Sequence, residues 1–262
     1  MIGIHLGIIV ASWIAYWGYR RRFLTGSGAA IAWVLGGCVW AGGRWSLAVP
    51  LLFFFVVSSK VTRWAEERRG QMPTSAARAM GARNGRQVGA NGAVAAVCAI
   101  AALLLGENRW LYGALCALAA MTGDTWSSEI GRALVPRPLD LRTFRRVDAG
   151  VSGAVSLVGS LAGLVGTVLT TSLGILLLPG AGRPARYCFL VINLWAFAAM
   201  WVDSILGAFV QMRFRCQRCG VLIDNRIHCG EPTHRIAGIS RVDNNLVNFL
   251  TTIFAALVAI HL

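Results

Sequence analysis

The chain has 262 residues, of which 56% are hydrophobic and only 14% are charged. Since a soluble globular domain carries roughly 25% charged residues, this composition excludes an ordinary soluble protein and predicts a polytopic membrane protein. The formal net charge is +14, but the basic residues lie in loops between apolar runs rather than on one polar face. We therefore expect anionic or phosphorylated partners at a membrane surface, and no nucleic acid.

Eight apolar runs are long enough to cross a hydrocarbon core of about 30 Å. They cover residues 2–19, 26–43, 45–60, 88–106, 110–131, 150–178, 187–211 and 245–262. The second run is rich in glycine and could be re-entrant, which would leave seven helices. The sequence therefore predicts one all-α transmembrane domain over residues 1–262, a polytopic bundle of about eight helices with seven as the alternative.

The basic residues predict how this bundle is oriented. Most of them lie in four loops, which cover residues 20–25, 60–87, 132–149 and 212–244. The remaining basic residues are Arg44, Arg109, Arg183 and Arg186. Because loops rich in Lys and Arg remain in the cytoplasm, we expect the four loops to be cytoplasmic. A site formed at their end of the bundle would face the cytosol, from what we expect to be a prokaryotic plasma membrane.

Carboxylates stand at the predicted cytoplasmic ends of two helices. Asp124 and Glu129 follow the apolar part of the fifth run, and Asp203 lies in the seventh. Ionisable groups in such places are costly to bury and mark functional sites unless they are paired for structure. Two or three carboxylates with hydroxyls nearby suit Mg²⁺. On a regular helix Asp124 and Glu129 face apart, so both can serve one site only if the helix unwinds near Gly123 or other segments converge on them.

Further polar groups at the same ends are candidates for binding a substrate or nucleotide. They are Gln87, Asn91, Ser128, Ser156, Ser204, Gln211, Asn244 and Asn248. The amides among them could instead join neighbouring helices by hydrogen bonds. Gly150 and Gly153 are predicted to open the sixth helix, where exposed backbone N–H groups and the helix dipole favour a phosphate.

The loop 212–244 contains a cysteine and histidine cluster. Cys216 and Cys219 form a Cys-x-x-Cys pair, and His228 and Cys229 follow. These are the ligand types of tetrahedral Zn²⁺, although only one such pair is present and a thiol pair without metal is the alternative. We predict zinc held by the three cysteines and one histidine, with His228 favoured.

The sequence resembles the integral membrane family that includes transmembrane protein 19 and the chloroplast phytyl-phosphate kinase. The resemblance covers nearly the whole chain through motifs in the family's order. These motifs lie at residues 58–62, 83–92, 124–131, 150–159, 203–211, 216–229 and 244–248. The chain departs from the usual pattern at Val151, Ala154 and Asn245.

The resemblance implies an enzyme that phosphorylates a prenyl monophosphate, such as phytyl or geranylgeranyl phosphate, to the diphosphate with a nucleoside triphosphate. CTP is the donor suggested by related membrane prenol kinases, and the sequence contains no P-loop. The three carboxylates would hold the Mg²⁺–nucleotide or the acceptor phosphate, with Lys60, Arg83 and Arg86 as contacts to phosphate groups.

Two other functions use the same features. A transporter or flippase of an anionic lipid would use the carboxylates for cation coupling, and a CDP-lipid synthase would also use a nucleotide. The polar motifs gather on one side of the predicted bundle, which argues against transport, because transporters usually bind their substrate near the midplane of the membrane.

Overall fold

The computed structural model describes residues 2–70, 82–178, 184–224 and 226–262, without the side chains of residues 2–4 and His228. Seven α-helices lie within this part of the chain. They are α1 (Ile2–Arg20), α2 (Gly26–Arg68), α3 (Gly85–Leu105), α4 (Arg109–Leu134), α5 (Leu157–Leu177), α6 (Ala185–Phe209) and α7 (Asn244–Ala259). Four of these helices, α2, α3, α5 and α6, are long and apolar enough to cross a membrane. The prediction of an all-α membrane bundle is confirmed.

Helix α2 contains two of the predicted runs, 26–43 and 45–60, and it reverses direction at Arg44. The backbone there is not helical, with φ 48° and ψ −137°. Arg83 lies against both limbs: a Cβ on Gly28 would overlap its carbonyl oxygen, and its guanidinium is 5.2 Å from the centroid of the Phe54 ring. A straight helix would separate residues 28 and 54 by about 39 Å. The two limbs are therefore antiparallel segments, and the seven helices contain eight apolar runs.

Helix α4 is the centre of the bundle. It contacts α2, α3, α5, α6 and α7, and every residue from Leu111 to Gly123 is buried. Such all-round burial explains why the run is uniformly apolar and small rather than amphipathic. Glycines bring α5 close to it, because a Cβ on Gly163 would lie 2.9 Å from the carbonyl oxygen of Gly123. The helix continues through Gly123 to Leu134 without unwinding.

The prediction that the sixth apolar run becomes helical at Gly150 is wrong. Gly150 and Gly153 have φ of 106° and 75°, values that a right-handed helix does not contain. The stretch instead forms β2 (Ala154–Val155), which pairs antiparallel with β1 (Leu139–Asp140). Ser156 then caps α5, its side chain accepting a hydrogen bond from the Gly159 N–H. The two glycines therefore belong to a loop of residues 150–156 that precedes the helix.

The segment after α6 forms small antiparallel sheets. Strand β3 (Arg213–Arg215) lies between β4 (Leu222–Ile223) and β7 (His234–Ala237), and β5 (Ile227–His228) pairs with β6 (Glu231–Pro232). The backbone of this segment returns to the bundle, where the Met212 N–H donates to the Val242 carbonyl at 2.9 Å. It thereby places residues 211–224 at the end of the bundle that carries the basic loops.

The basic loops meet at one end of the bundle, as the charge pattern predicts. Leu24 forms a β-bridge with Arg83, and Arg86 pairs with Asp243 at 3.1 Å. Arg44 and Arg109 lie at the opposite turns, while Arg183 is outside the described residues. The charge asymmetry of the sequence is therefore an asymmetry of the folded molecule.

Candidate functional site

A polar cavity of about 520 Å³ opens at the basic end of the bundle. It lies among the beginnings of α3 and α7, the ends of α4 and α6, and the loop 150–156. Fourteen of the residues predicted from the sequence line it: Arg83, Gln87, Asn91, Asp124, Ser128, Glu129, Gly150, Gly153, Ser156, Asp203, Ser204, Gln211, Asn244 and Asn248. Tertiary packing thus gathers most of the polar motifs, which are far apart in sequence, around one space.

Two predicted phosphate contacts are not brought to this cavity. Lys60 is exposed on α2 and is not among the lining residues. The side chain of Arg86 is 78% exposed and pairs with Asp243 at 3.1 Å. Helical phase turns Lys60 away, and Arg86 lies on the outer side of the first turn of α3. Neither Lys60 nor Arg86 therefore lines the polar cavity.

Further lining residues are not among the individual site residues that the sequence predicts. They include Thr62, Glu66, Thr125, Ser127, Arg132, Ser152, Gly207 and Asp224. Arg132 and Ser127 lie within one turn of predicted residues, so helical neighbourhood could have found them. Asp224 lies within the motif 216–229 but is not one of its predicted ligands, and only the fold of that loop brings it to the cavity. Val151, Ala154 and Asn245, the departures from the family pattern, also line the cavity.

Asp203 joins three helices at the inner part of the cavity. The Thr251 hydroxyl of α7 donates to its Oδ2 at 3.3 Å. The Asn248 amide, in the orientation that best satisfies its hydrogen bonds, also donates to Oδ2 at 3.3 Å. The same amide group lies 3.0 Å from Oδ1 of Asn91 in α3. Both bonds to Asp203 reach the same oxygen, and they fix the carboxylate relative to α3 and α7.

Glu129 is held by arginines. Arg132 donates to its Oε1 at 2.9 Å, and Arg69 lies 3.7 Å from its Oε2, an oxygen that is buried without a hydrogen-bond partner. Burial lowers the pKa of the Arg69 guanidinium, as does the nearby Arg132, while Glu129 opposes this effect. Glu129 therefore compensates a pair of cations at the rim of the cavity.

The three predicted carboxylates do not converge on a single point. Among the described residues, the cysteines discussed below are the only group of three acidic, cysteine or histidine side chains whose ligand atoms approach one another closely enough to share an ion. Since α4 stays regular, a five-residue spacing turns Glu129 about 140° from Asp124 around the helix axis. The charge of Asp124 acts on Asp203 of α6, and the charges of Glu129 and Arg132 act on Asp124. Among the described residues Asp124 and Asp203, unlike Glu129, form no ion pair.

The loop 150–156 is fixed against the end of α6. A Cβ on Gly153 would overlap the backbone of Ala208, so the close approach and the positive φ both require glycine. The Ser152 hydroxyl accepts a hydrogen bond from the Gln211 amide at 2.6 Å and donates to Asp224. Burial raises the pKa of Asp224, with the Ser152 hydrogen bonds opposing. The loop presents its backbone to the cavity in one defined conformation.

A buried ion pair joins the loop after α4 to strand β3. Arg213 donates to Oδ1 of Asp140 at 2.8 Å, with side chains only 6% and 2% exposed. Although burial opposes ionisation, the hydrogen bonds and charge of Arg213, together with Thr143, hold the pKa of Asp140 below its ordinary value. Arg213 also donates to the Ser152 carbonyl. Through Arg213, the ion pair therefore connects the loop 150–156 to strand β3 and to the loop after α4.

The sulfur atoms of Cys216, Cys219 and Cys229 lie within 4.8 Å of one another. The Sγ atoms of Cys219 and Cys229 are 3.9 Å apart, too far for a disulfide, in which the sulfurs are about 2.0 Å apart. Tetrahedral zinc with Zn–S bonds of about 2.3 Å would separate its sulfurs by about 3.8 Å. The donor set therefore fits Zn²⁺, while the side chain of His228, the predicted fourth ligand, is outside the described part of the structure.

Comparison with known proteins identifies relatives of the whole chain. Residues 9–256 match the family described as integral membrane protein DUF92. The Arabidopsis thaliana proteins "Protein PGR" and "Protein VTE6, chloroplastic" are each 30% identical, over 95% and 72% of this chain and 92% and 56% of their own lengths. An uncharacterised membrane protein of Synechocystis is 30% identical over 74% of each chain. No solved structure matches.

Proposed function

Since the chain belongs to the DUF92 family of integral membrane proteins, as its motifs predict, we propose that it is a membrane kinase for prenyl monophosphates. It transfers a phosphoryl group from a nucleoside triphosphate, with CTP favoured, to a lipid such as phytyl or geranylgeranyl phosphate, and the product is the diphosphate. The similarity to the chloroplast protein VTE6 and the resemblance to the phytyl-phosphate kinase family both support this proposal.

The observation that carries the proposal is the mixed charge of the polar cavity. Asp124 and Asp203 line this space together with Arg83 and Arg132. Two phosphorylated reactants repel each other, so a site for phosphoryl transfer needs both carboxylates for a metal ion and cations for phosphate oxygens. A volume of about 520 Å³ is within the usual range for a small-ligand site.

Asp124 and Asp203 would hold Mg²⁺, and the side-chain oxygens of Thr125, Ser204 and Asn244, which line the same cavity, would offer further ligands. This all-oxygen donor set is the kind that Mg²⁺ prefers. The ion, when bound, would neutralise negative charge on the phosphates. In this proposal Glu129 is not a ligand of the metal; it orients Arg132 toward the phosphates.

The chain's own residues bind and orient the two phosphates. Arg83 and Arg132 contact the acceptor phosphate and the transferred group, and the backbone of the loop 150–156 offers N–H donors to the donor phosphates. An oxygen of the acceptor phosphate attacks the terminal phosphorus of the nucleotide, forming a new P–O bond as the bond to the leaving nucleoside diphosphate breaks. The attacking oxygen is already ionised at neutral pH, so the step needs no general base and depends on positioning and charge compensation.

We also propose that the cysteine loop binds Zn²⁺ through Cys216, Cys219, Cys229 and His228. The ion would be structural, because the loop supplies a full set of four ligands and leaves no open position for a substrate. It would hold β3 and β4 in register, and β3 carries Arg213 while the chain after β4 carries Asp224.

The proposal is tested by incubating the purified protein and Mg²⁺ with labelled CTP or ATP and a panel of prenyl alcohols and monophosphates. We expect label to pass to the prenyl monophosphates and form diphosphates. Nucleotide left intact with every acceptor would contradict the kinase and favour the lipid transporter. Release of pyrophosphate with formation of a CDP-lipid would instead identify a CDP-lipid synthase.

A further inference from the structure

A second cavity, of about 100 Å³, lies between α1, the two limbs of α2 and α3. Its walls are almost entirely apolar and include Ala11, Gly36, Leu51, Phe55 and Met121. Leu52 lines its margin and is 38% exposed on the surface of the bundle. This apolar groove is therefore open toward the region that membrane lipid occupies.

The apolar groove and the polar cavity share two residues, Arg83 and Asn91. Arg83 is fixed at this junction: its N–H donates to the Phe23 carbonyl at 2.9 Å, and its carbonyl accepts from the Thr25 N–H at 3.1 Å. Its guanidinium lies 5.2 Å from the Phe54 ring centroid. The guanidinium of Arg83 therefore lies where the apolar groove adjoins the polar cavity.

We propose that the apolar groove binds the prenyl chain of the lipid phosphate acceptor, with Arg83 at the junction between chain and phosphate. This inference rests on the proposed kinase function and adds where the lipid lies. A molecule with one anionic end and one branched hydrocarbon chain matches a polar cavity and an adjoining apolar groove that share Arg83 and Asn91. Its hydrocarbon part is then transferred from lipid into protein without crossing water.

The outer end of the groove is closed by Trp40. The indole is only 5% exposed and packs edge-on against Trp45 at 4.7 Å between ring centroids. A Cβ on Gly7 would overlap the same indole, so α1 also seals this end. Gly7 and Ala15, both in the wall, are about 12 Å apart along the helix. The groove therefore holds the isoprene units next to the phosphate, and the remainder of a long chain leaves past Leu52 into the bilayer.

A pair of adjacent glycines provides the test and its control. A Cβ on Gly36 would lie 3.5 Å from the Cβ of Ala11, an ordinary contact, and a longer side chain would enter the groove. A Cβ on Gly37 would have no atom of the described residues within 4 Å, and Gly37 does not line the groove. Gly36→Leu and Gly37→Leu therefore make the same chemical change in the same helix, one inside and one outside the groove.

We expect Gly36→Leu to raise KM for geranylgeranyl phosphate at least about tenfold, since lost apolar complementarity in a pocket has effects of this size. KM for dimethylallyl phosphate and for the nucleotide should stay unchanged, and Gly37→Leu should match the wild type with all three. Equal kinetics of Gly36→Leu and wild type with geranylgeranyl phosphate would overturn the assignment of the groove.

Crosslinking separates this inference from the kinase function. A prenyl monophosphate with a diazirine on its second isoprene unit is photolysed with the purified protein in the absence of nucleotide. We expect adducts in α1 and α2 of the wild type and of Gly37→Leu, and their loss in Gly36→Leu. Adducts confined to other helices would refute the groove even if the enzyme is an active kinase. Adducts in the groove of a protein without kinase activity would support the groove and refute the kinase.

Discussion

At the scale of single residues, the carboxylates of the polar cavity divide into two kinds. Among the described residues Asp124 and Asp203 form no ion pair, whereas Glu129 is paired with Arg132 and Arg69. A carboxylate already neutralised by two guanidiniums is a poor ligand for a hard cation, because its charge is compensated. In the proposed mechanism the three residues therefore have unequal roles, which their sequence positions do not distinguish.

We predict that Asp124→Asn and Asp203→Asn insert and fold but lose kinase activity by about 100-fold or more. Asn keeps the size and much of the hydrogen bonding but removes the charge that Mg²⁺ prefers. Residual activity should need more Mg²⁺, which a titration of rate against Mg²⁺ concentration measures.

Glu129→Gln is the matched comparison for these variants. It frees Arg132 and Arg69, so we expect a raised KM for the phosphorylated reactants with an unchanged Mg²⁺ requirement. If all three variants remain active at the wild-type Mg²⁺ concentration while their thermal stability falls, the carboxylates are structural partners of arginines and the metal site lies elsewhere.

Asp140 gives a prediction of pH dependence. Its pKa is held below the ordinary value of about 3.9 by Arg213, so the pair stabilises the folded state above that pH and ceases to do so as the pH falls through the folded-state value. Asp140→Asn leaves the Arg213 charge buried and uncompensated, which costs about 3 kcal/mol.

Thermal unfolding in detergent, followed from neutral pH to below about pH 4, checks this prediction. The difference in stability between the wild type and Asp140→Asn should be largest at neutral pH and should shrink on acidification. Asp148→Asn, an exposed carboxylate of the same loop, should leave stability unchanged throughout. A difference between wild type and Asp140→Asn that does not vary with pH would mean that the ion pair is not its source.

At the scale of elements, the small sheets after α6 have little apolar core of their own. Residues 217–220 are all exposed, and β7 is mostly exposed. Segments with so few buried apolar contacts need another source of stability, and a bound metal commonly supplies it. The three sulfurs that converge between these strands provide such a source.

We predict that protein purified without chelator contains one zinc per chain, as elemental analysis would show. Cys229→Ser should lose most of the zinc and increase proteolytic cleavage within residues 217–234, because the unfolded loop becomes accessible. Cys38→Ser, in the first limb of α2, should keep the zinc and the wild-type cleavage pattern. Absence of zinc from the wild-type protein would leave a thiol pair as the better account.

At the scale of the whole molecule, one end of the bundle carries the basic loops, the polar cavity and the junction with the apolar groove. Such an arrangement lets a water-soluble nucleotide and a membrane lipid reach the same site from different phases. A site at one end of the bundle also differs from the midplane site of a typical transporter. The location of the cavity thus supports an enzyme working at the membrane surface.

We predict that this end faces the cytosol. Single cysteines introduced at Glu67 and Phe144, both exposed, should react with a membrane-impermeant maleimide only when the cytosolic face is accessible. A cysteine at Arg109, at the other end, should react only from outside. The signal is the increase over the parent chain, and labelling of all three positions from one side would overturn the orientation.

The sequence by itself determined the class of the protein, the extent of its apolar segments and the asymmetry of its charges. These properties are local: a run of about 20 apolar residues specifies a membrane span wherever it packs, and arginines mark a side through their number in each loop. Even the reversal at Arg44 follows the gap between the predicted runs 26–43 and 45–60. The prediction failed at Gly150, where apolar composition continued but the glycine φ values stopped the helix.

Only the tertiary structure decided which polar residues share a site. Spacing along a helix gives the angle between two side chains, but not the rotation of that helix against its neighbours, which packing of α4 against five helices sets. The packing of α2, α4 and α6 leaves Lys60 exposed, pairs Glu129 with arginines and brings Asp203 and Asp124 to the same cavity. Asp224 reaches the cavity because a loop folds back by contacts distant in sequence, and no local pattern encodes such contacts.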